Sequence, residues 1–323
     1  MTTIALSVDN RTQALINWFI RQTNSNQFGD TMRFATLEVN GRQIVAAVSA
    51  DGTQYCAASR VFPGFDGDMI ALIKRQPSMA GVSMPTDGLL PLAGVRICAP
   101  IPEPRRNVFC VGKNYHEHAK EFGRSGYDMS AGKGEDAPPA PVVFTKPASC
   151  VVGDQDDVMA FPEVTQQMDY EAELGVIMGT TARGIRNADA LNHVWGYTII
   201  NDVTARDLQQ KHRQWFIGKA LDTYCPMGPF IVTADEVDVG NLQVQCWIND
   251  ELRQNANTSD LIFDVPTIIE TLSGGMTLRA GDVIATGTPA GVGLGFKPPR
   301  FLQSGDVMKI TIGNLGTLTN RVR

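Results

Sequence analysis

The sequence predicts a mainly β protein with short helices, an α+β chain, and three observations carry this. Apolar runs of strand length recur at 142–146, 170–178, 195–201, 228–233, 243–249, 282–286 and 307–312, bounded by glycine, proline, asparagine and aspartate. The helical stretches between them are short. Strands and helices do not alternate in the manner of a doubly wound parallel sheet.

In chain order, residues 12–23 (TQALINWFIRQT) place Ala14, Leu15, Trp18 and Phe19 at helical spacing. Residues 32–55 read as strands, with turns at Asn40-Gly41 and Asp51-Gly52. A second helix is expected within 65–76. The prolines of 100–106 (PIPEPRR) forbid regular hydrogen bonding and mark a linker. The chain therefore divides into a small N-terminal α/β packing domain, 1–100, and a larger unit, 105–323. No cluster of chemistry-bearing residues occurs in 1–100, so that part is expected to support packing and dimer formation. Residues 123–140 are rich in Gly, Pro, Ser and charge, the composition of a surface insertion or a mobile lid. Asn187 is expected to cap a helix over 188–194. Asp264 and Pro266 open another that Gly274-Gly275 closes.

The 323 residues, 43% of them hydrophobic, are enough for one large domain with a real core plus a smaller one. A net charge of −6 argues against a general binder of nucleic acid or anionic membrane. It leaves room for an anionic substrate held by local Arg and Lys. The six cysteines are scattered, with no Cys-x-x-Cys, as free thiols of a reducing compartment would be. No basic stretch followed by an apolar core opens the chain, and the apolar runs fall far short of a membrane span. A cytoplasmic protein is expected.

The chemistry concentrates in acidic residues. Glu171 and Glu173 are one residue apart, and positions i and i+2 of a strand point to one face. Asp202 ends the next apolar run. Carboxylates that close repel unless one is protonated or a cation lies between them. An all-oxygen set suits Mg²⁺, Mn²⁺ or Ca²⁺ rather than Zn²⁺. The plainer alternative is a pair of solvated charges on an exposed strand.

Five further stretches bear on this choice: Asn201-Asp202-Val203-Thr204-Ala205-Arg206-Asp207-Leu208-Gln209 with Gly218-Lys219-Ala220-Leu221, Val111-Gly112-Lys113-Asn114-Tyr115-His116-Glu117-His118-Ala119-Lys120-Glu121, Phe144-Thr145-Lys146-Pro147, Cys225-Pro226-Met227-Gly228-Pro229, and Ala285-Thr286-Gly287-Thr288-Pro289-Ala290-Gly291-Val292-Gly293. In this order, from about residue 105 onward, the chain resembles the fumarylacetoacetate hydrolase family, in its acylpyruvate hydrolase-like branch. The resemblance implies a mixed β-roll or sandwich enclosing the active site, in a homodimer. It makes Glu171, Glu173 and Asp202 the metal ligands, with Mg²⁺ or Mn²⁺ as the cofactor and Ca²⁺ as a substitute in a crystal.

Other roles follow from the resemblance together with spacing. Arg206 and Gln209 share a face if a helix begins near Thr204, and form a bidentate anion clamp. Lys219, among apolar residues, lines the site and stabilises an oxyanion or carries a proton. His118 and Glu121, at i and i+3, face each other on a helix and activate water; His116 is the competitor. Thr288 binds the substrate carboxylate, and Lys146 reaches the site. The glycine-rich 287–293 lacks Gly-Lys-Ser/Thr, so it is not a phosphate loop. No Gly-x-Ser-x-Gly elbow occurs.

The function these features imply is Mg/Mn-dependent hydrolysis of a carbon–carbon bond in a 2,4-diketo acid of the acylpyruvate type, releasing pyruvate and a carboxylic acid. Alternatives on the same site are an oxaloacetate or 2-hydroxydienoate decarboxylase or isomerase, and a ureidoglycolate lyase. A non-catalytic ligand-binding relative is the alternative from another class. The expected partner is a small anionic keto acid, with neither nucleic acid nor membrane.

Overall fold

The computed structural model describes residues 32–127 and 137–323. The helix expected over 12–23 and half of the 123–140 insertion lie outside the described residues. The N-terminal part comprises β1 (Arg33–Val39), β2 (Arg42–Val48), β3 (Gln54–Ala57), α1 (Ala58–Val61), α2 (Met69–Arg75), β4 (Leu90–Pro91) and β5 (Arg96–Cys98). Then follow β6 (Val108–Gly112), α3 (His116–Arg124), β7 (Val142–Lys146), β8 (Val151–Val152), β9 (Asp157–Val158), β10 (Met168–Asp169), β11 (Ala172–Met178), β12 (Val194–Asn201) and β13 (Thr204–Ala205). The chain continues with α4 (Arg206–His212), α5 (Phe216–Lys219), β14 (Cys225–Thr233), β15 (Gln243–Ile248), β16 (Glu251–Asn257) and α6 (Val265–Ser273). It closes with β17 (Val283–Ala285), β18 (Val307–Ile312) and β19 (Thr317–Val322).

Turn chemistry sets the first hairpin. Asn40 and Gly41 both take positive φ, 52° and 72°, the two-residue turn whose twist matches the strands it joins. The hairpin does not stand apart. β1 pairs antiparallel with β14, Arg33 opposite Val232, so the N-terminal strands extend the main sheet across the 100–106 stretch. That mixed sheet runs β4-β3-β2-β1-β14-β12-β11-β17-β6-β7, with β5 also beside β1 and β8 beside β14. A second sheet runs β16-β15-β18-β19-β9.

The central strands bury both faces. Leu174, Val176 and Tyr197 pack with Val244, Ile310 and Leu318 of the second sheet in one core. Ile177, Trp195 and Ile200 point the other way and pack with Phe34, Ile70 and Ile73 of the N-terminal part. Each such side chain taken out of water contributes about 1.5–3 kcal/mol. The protein is thus mainly β with short helices, built as a sandwich-like pair of sheets.

Some expectations shift in detail. The helix sought within 65–76 is α2, capped by Asp68, whose carboxylate accepts from the Ala71 amide at 2.6 Å. Asp264 caps α6 as expected, accepting from the Thr267 amide at 2.9 Å. Asn187 is not a cap. It is the first residue of a 3₁₀ turn, Asn187–His193, and its amide donates to Glu270 instead. β6, β16 and β19 were not expected. β16 reads ELRQNAN, a polar edge strand held by its backbone ladder to β15 rather than by an apolar face.

Candidate active site

The register of one hairpin assembles the acidic centre. Ala172 of β11 stands opposite Asn201 of β12, so the next step sets Glu171 beside Asp202. The Asp202 amide donates to the Glu171 carbonyl at 2.9 Å, and the Glu171 amide to the Asn201 side-chain oxygen at 3.0 Å. Glu171, Glu173 and Asp202 are all buried, and one carboxylate oxygen of each lies within 4.8 Å of the others. Burial excludes the alternative of solvated charges on an exposed strand.

The three carboxyls are not equivalent. Burial and the neighbouring Asp202 and Glu171 anions push the Glu173 carboxyl well above the ordinary range, although the Gly287 amide donates to it at 2.9 Å. For Glu171, burial acts to raise the value, but Lys219, Arg206 and His118 together hold it down at about 2. Lys219 Nζ bridges Glu171 and Asp202, at 2.7 Å from each.

The donor set suits a hard divalent cation. It is all oxygen. Asp202 Oδ1 is buried 2.7 Å from Lys146 Nζ, which also donates to the Val203 carbonyl at 2.9 Å. A cation relieves the crowding of Glu173 by the Asp202 and Glu171 anions. The triad could therefore hold Mg²⁺ or Mn²⁺. Gly287 permits the close approach. It takes φ of 104°, and a Cβ there would lie 2.7 Å from Asn114 Cβ and 2.9 Å from the Val111 carbonyl.

Around the triad the structure places the other expected residues. α4 begins at Arg206, two residues later than the sequence suggested, and brings Gln209 back to it at 3.2 Å. Arg206 is not a free clamp. Its Nε donates to Asp169 at 2.9 Å, and its Nη1 lies 2.7 Å from Glu171. Only Nη2 has no hydrogen-bond partner among the described residues, so Arg206 could offer a bound anion one nitrogen rather than a fork. Lys146 is likewise spent on Asp202 and Val203. It does not line the cavity, because burial against Asp202 holds it behind the wall.

His118 and Glu121 meet on α3, with His118 Nδ1 3.1 Å from Glu121 Oε2. The Gly291 amide also donates to Glu121, at 3.1 Å. A carboxylate that accepts from both sides makes Nδ1 the protonated nitrogen and leaves Nε2 with its lone pair free to accept a proton. His118, Glu171, Glu173, Arg206, Lys219 and Thr288 line one cavity, with Gln209 also on its wall. Phe122, Phe144 and Trp215 form its apolar side, and their rings meet edge to face at Trp215, with centroids 5.9 and 5.3 Å away. His116 is exposed and does not line the cavity.

Sequence reasoning missed several members. Asp169 continues the Glu171 and Glu173 spacing by two residues, a signal that could have found it. It accepts from Arg206 and from the Gly293 and Leu294 amides at 2.6 and 3.1 Å. Nothing local marks Trp215 or Phe144 as cavity walls.

Residues 107–323 match the family described as fumarylacetoacetate (FAA) hydrolase C-terminal. The chain belongs to the fumarylacetoacetate hydrolase family. Oxaloacetate tautomerase YisK of Bacillus subtilis (strain 168) is 52% identical over 232 residues, covering 72% of this chain and 74% of that protein. Among solved structures, a fumarylacetoacetate hydrolase from psychrophilic Exiguobacterium antarcticum is 43% identical with a TM-score of 0.78, covering 91% of this chain and 99% of that one. Maleylpyruvate hydrolase from Sphingobium sp. SYK-6, in complex with manganese(II) and pyruvate, is 31% identical with a TM-score of 0.68, covering 90% and 98%. The family includes isomerases, hydrolases and a tautomerase, so membership makes this chain a relative of enzymes without choosing among their reactions. Among the described residues no helix is long and apolar enough to cross a membrane.

Proposed function

We propose that this chain is a divalent-cation-dependent enzyme that moves a proton at C3 of a small 2-oxo acid, interconverting the keto and enol forms of oxaloacetate or a close relative. One observation carries the reading: His118, braced by Glu121, stands on the wall of the same cavity as Glu171 and Glu173 of the triad, Arg206 and Thr288. The 52% identity to an oxaloacetate tautomerase supports this choice among the family's reactions.

A Mg²⁺ or Mn²⁺ ion held by Glu171, Glu173 and Asp202 supplies Lewis acidity toward the oxygens of a 2-oxo acid. The protein's own groups do the rest. Arg206 Nη2 and the Thr288 hydroxyl bind the anionic end. Lys219 holds Glu171 and Asp202 at fixed spacing and adds positive charge beside the reacting oxygens. His118 Nε2 takes the C3 proton and returns it to the oxygen on C2, or the reverse, while Glu121 stabilises the imidazolium between the two transfers. No bond other than these changes, and no water is consumed. Phe144 and Trp215 keep water from that wall.

A second reading is the hydrolysis of a 2,4-diketo acid of the acylpyruvate type, favoured by the likeness to maleylpyruvate hydrolase. There His118 takes its proton from water, and the C3–C4 bond breaks to give pyruvate and a carboxylic acid.

The test is a panel of enol-oxaloacetate, acylpyruvates and ureidoglycolate with Mg²⁺, following enol absorbance, pyruvate, CO₂ and glyoxylate separately. Faster decay of the enol, with deuterium entering C3 from heavy water, is expected. Pyruvate from acylpyruvates without enol decay replaces the first reading by the second. No turnover at all, with or without EDTA, points to a non-catalytic ligand-binding relative. We further propose a homodimer with an isologous two-fold contact; a monomeric mass by light scattering at all concentrations would overturn it.

A further inference from the structure

Gln254 belongs to a strand that carries no expected site residue, yet it joins two parts of the site. Its side chain is fully buried on β16. Nε2 donates to Thr288 Oγ1 and to the Pro289 carbonyl, both at 2.8 Å, and Oε1 accepts from the Ala172 amide at 3.0 Å. Ala172 lies between Glu171 and Glu173.

The polarity of this network is settled by its ends. The Ala172 amide can only donate, and the Pro289 carbonyl can only accept, so the Gln254 amide cannot be flipped. Thr288 Oγ1 must therefore accept from Gln254. Its own hydrogen points elsewhere, and Thr288 lines the cavity beside Glu171, Glu173 and Arg206.

We propose that Gln254 is a positioning residue that makes Thr288 a hydrogen-bond donor toward an anionic substrate oxygen, held at fixed register to the acidic triad. This rests on the reading of the cavity as a 2-oxo acid site. Gln254 touches no substrate. It acts by donating to Thr288 Oγ1, which leaves the hydroxyl hydrogen to point at an anion.

The test is a double-mutant cycle on the full chain with oxalate, a non-reacting dianion of the right shape, in the presence of Mg²⁺. Binding is read by calorimetry, with KM and kcat for the enol acid in parallel. Gln254→Met and Thr288→Val should each weaken oxalate binding about 10- to 100-fold, the range of one hydrogen bond to a charged group. KM should rise with little change in kcat, Mn²⁺ affinity by electron paramagnetic resonance should hold, and the double variant should be no worse than Thr288→Val alone. Gln254→Glu keeps the volume and the Ala172 bond but reverses the polarity toward Thr288. It should weaken oxalate binding in the natural background and not in Thr288→Val, and it serves if Gln254→Met does not fold. Additive losses in the cycle, or unchanged binding by Gln254→Met or Gln254→Glu, overturn the inference while leaving the 2-oxo acid reading intact. Failure of the unaltered protein to bind oxalate overturns that reading and this one with it.

Discussion

His118 and Glu121 form a braced pair: Nδ1 of the histidine lies 3.1 Å from Oε2 of the glutamate, whose carboxylate is also anchored by the Gly291 amide at 3.1 Å. The dyad is thus tied to the loop that carries Thr288. If His118 Nε2 moves the proton, His118→Ala should lower turnover by roughly 10²–10⁴, the usual contribution of a positioned base. Mn²⁺ affinity should be unchanged, because His118 is not in the triad. Exchange of the C3 proton with heavy water measures the step directly. An unchanged exchange rate would remove His118 from the mechanism.

Gly295 offers an independent handle on the same pair. A Cβ there would lie 1.9 Å from Glu121 Oε1. The obstacle is the end of a flexible side chain, so the chain should fold while Glu121 is displaced. Gly295→Ala is expected to cost activity about as much as Glu121→Gln, with a melting temperature close to that of the parent. Kinetics and a thermal melt on the two variants decide this; full activity in Gly295→Ala would show that the bracing does not matter.

Metal dependence follows from the crowded triad. EDTA should abolish turnover, and Mg²⁺ or Mn²⁺ should restore it. Glu173→Ala removes one anionic ligand and should bind Mn²⁺ far more weakly in a paramagnetic resonance titration. Undiminished activity of that variant in EDTA would end the metal hypothesis.

Arg206 should matter for stability as well as for binding. It is buried against Asp169 and Glu171, and its loss leaves, among the described residues, Asp169 with backbone amides but no cation and Glu171 with Lys219 as its one close cation. Arg206→Met is expected to destabilise the protein by about 3–5 kcal/mol, the cost of breaking a buried pair by removing one partner. Urea unfolding measures it. Arg206→Lys should fall between, since an ammonium cannot reproduce the guanidinium's several directed bonds. A change of under about 1 kcal/mol in Arg206→Met would place the pair among the weakly contributing ion pairs.

Much of the site was legible because its members sit close in sequence and at regular spacing. Glu171 and Glu173 are two apart, at the edge and on the second residue of β11, His118 and Glu121 three apart on one helix, and Arg206 and Gln209 three apart on the next. Strand period and helix period alone predict each pair. The strands 142–146 and 307–312 fall at the residues expected, because apolar, β-branched runs bounded by turn formers report the sheet directly. β16 was invisible, since only Gln254 of its seven residues is buried and that residue is polar. β19 hid its alternation behind a buried Asn320.

What only the tertiary structure decided are relations between segments far apart in the chain. The sequence alone supplied the residue types, the acidic pair and its all-oxygen preference, and the helical His–Glu contact. It could not say that Arg206 spends itself on Asp169 and Glu171, that Lys146 stands behind Asp202, or that Trp215 closes a wall with Phe122 and Phe144. Nor could it place Gln254 between Ala172 and Thr288, 82 and 34 residues away. Local periodicity is set by backbone geometry, which each segment carries with it. A hydrogen bond across such separations exists only once sheet register and burial have brought both partners together and removed the water that would otherwise satisfy them.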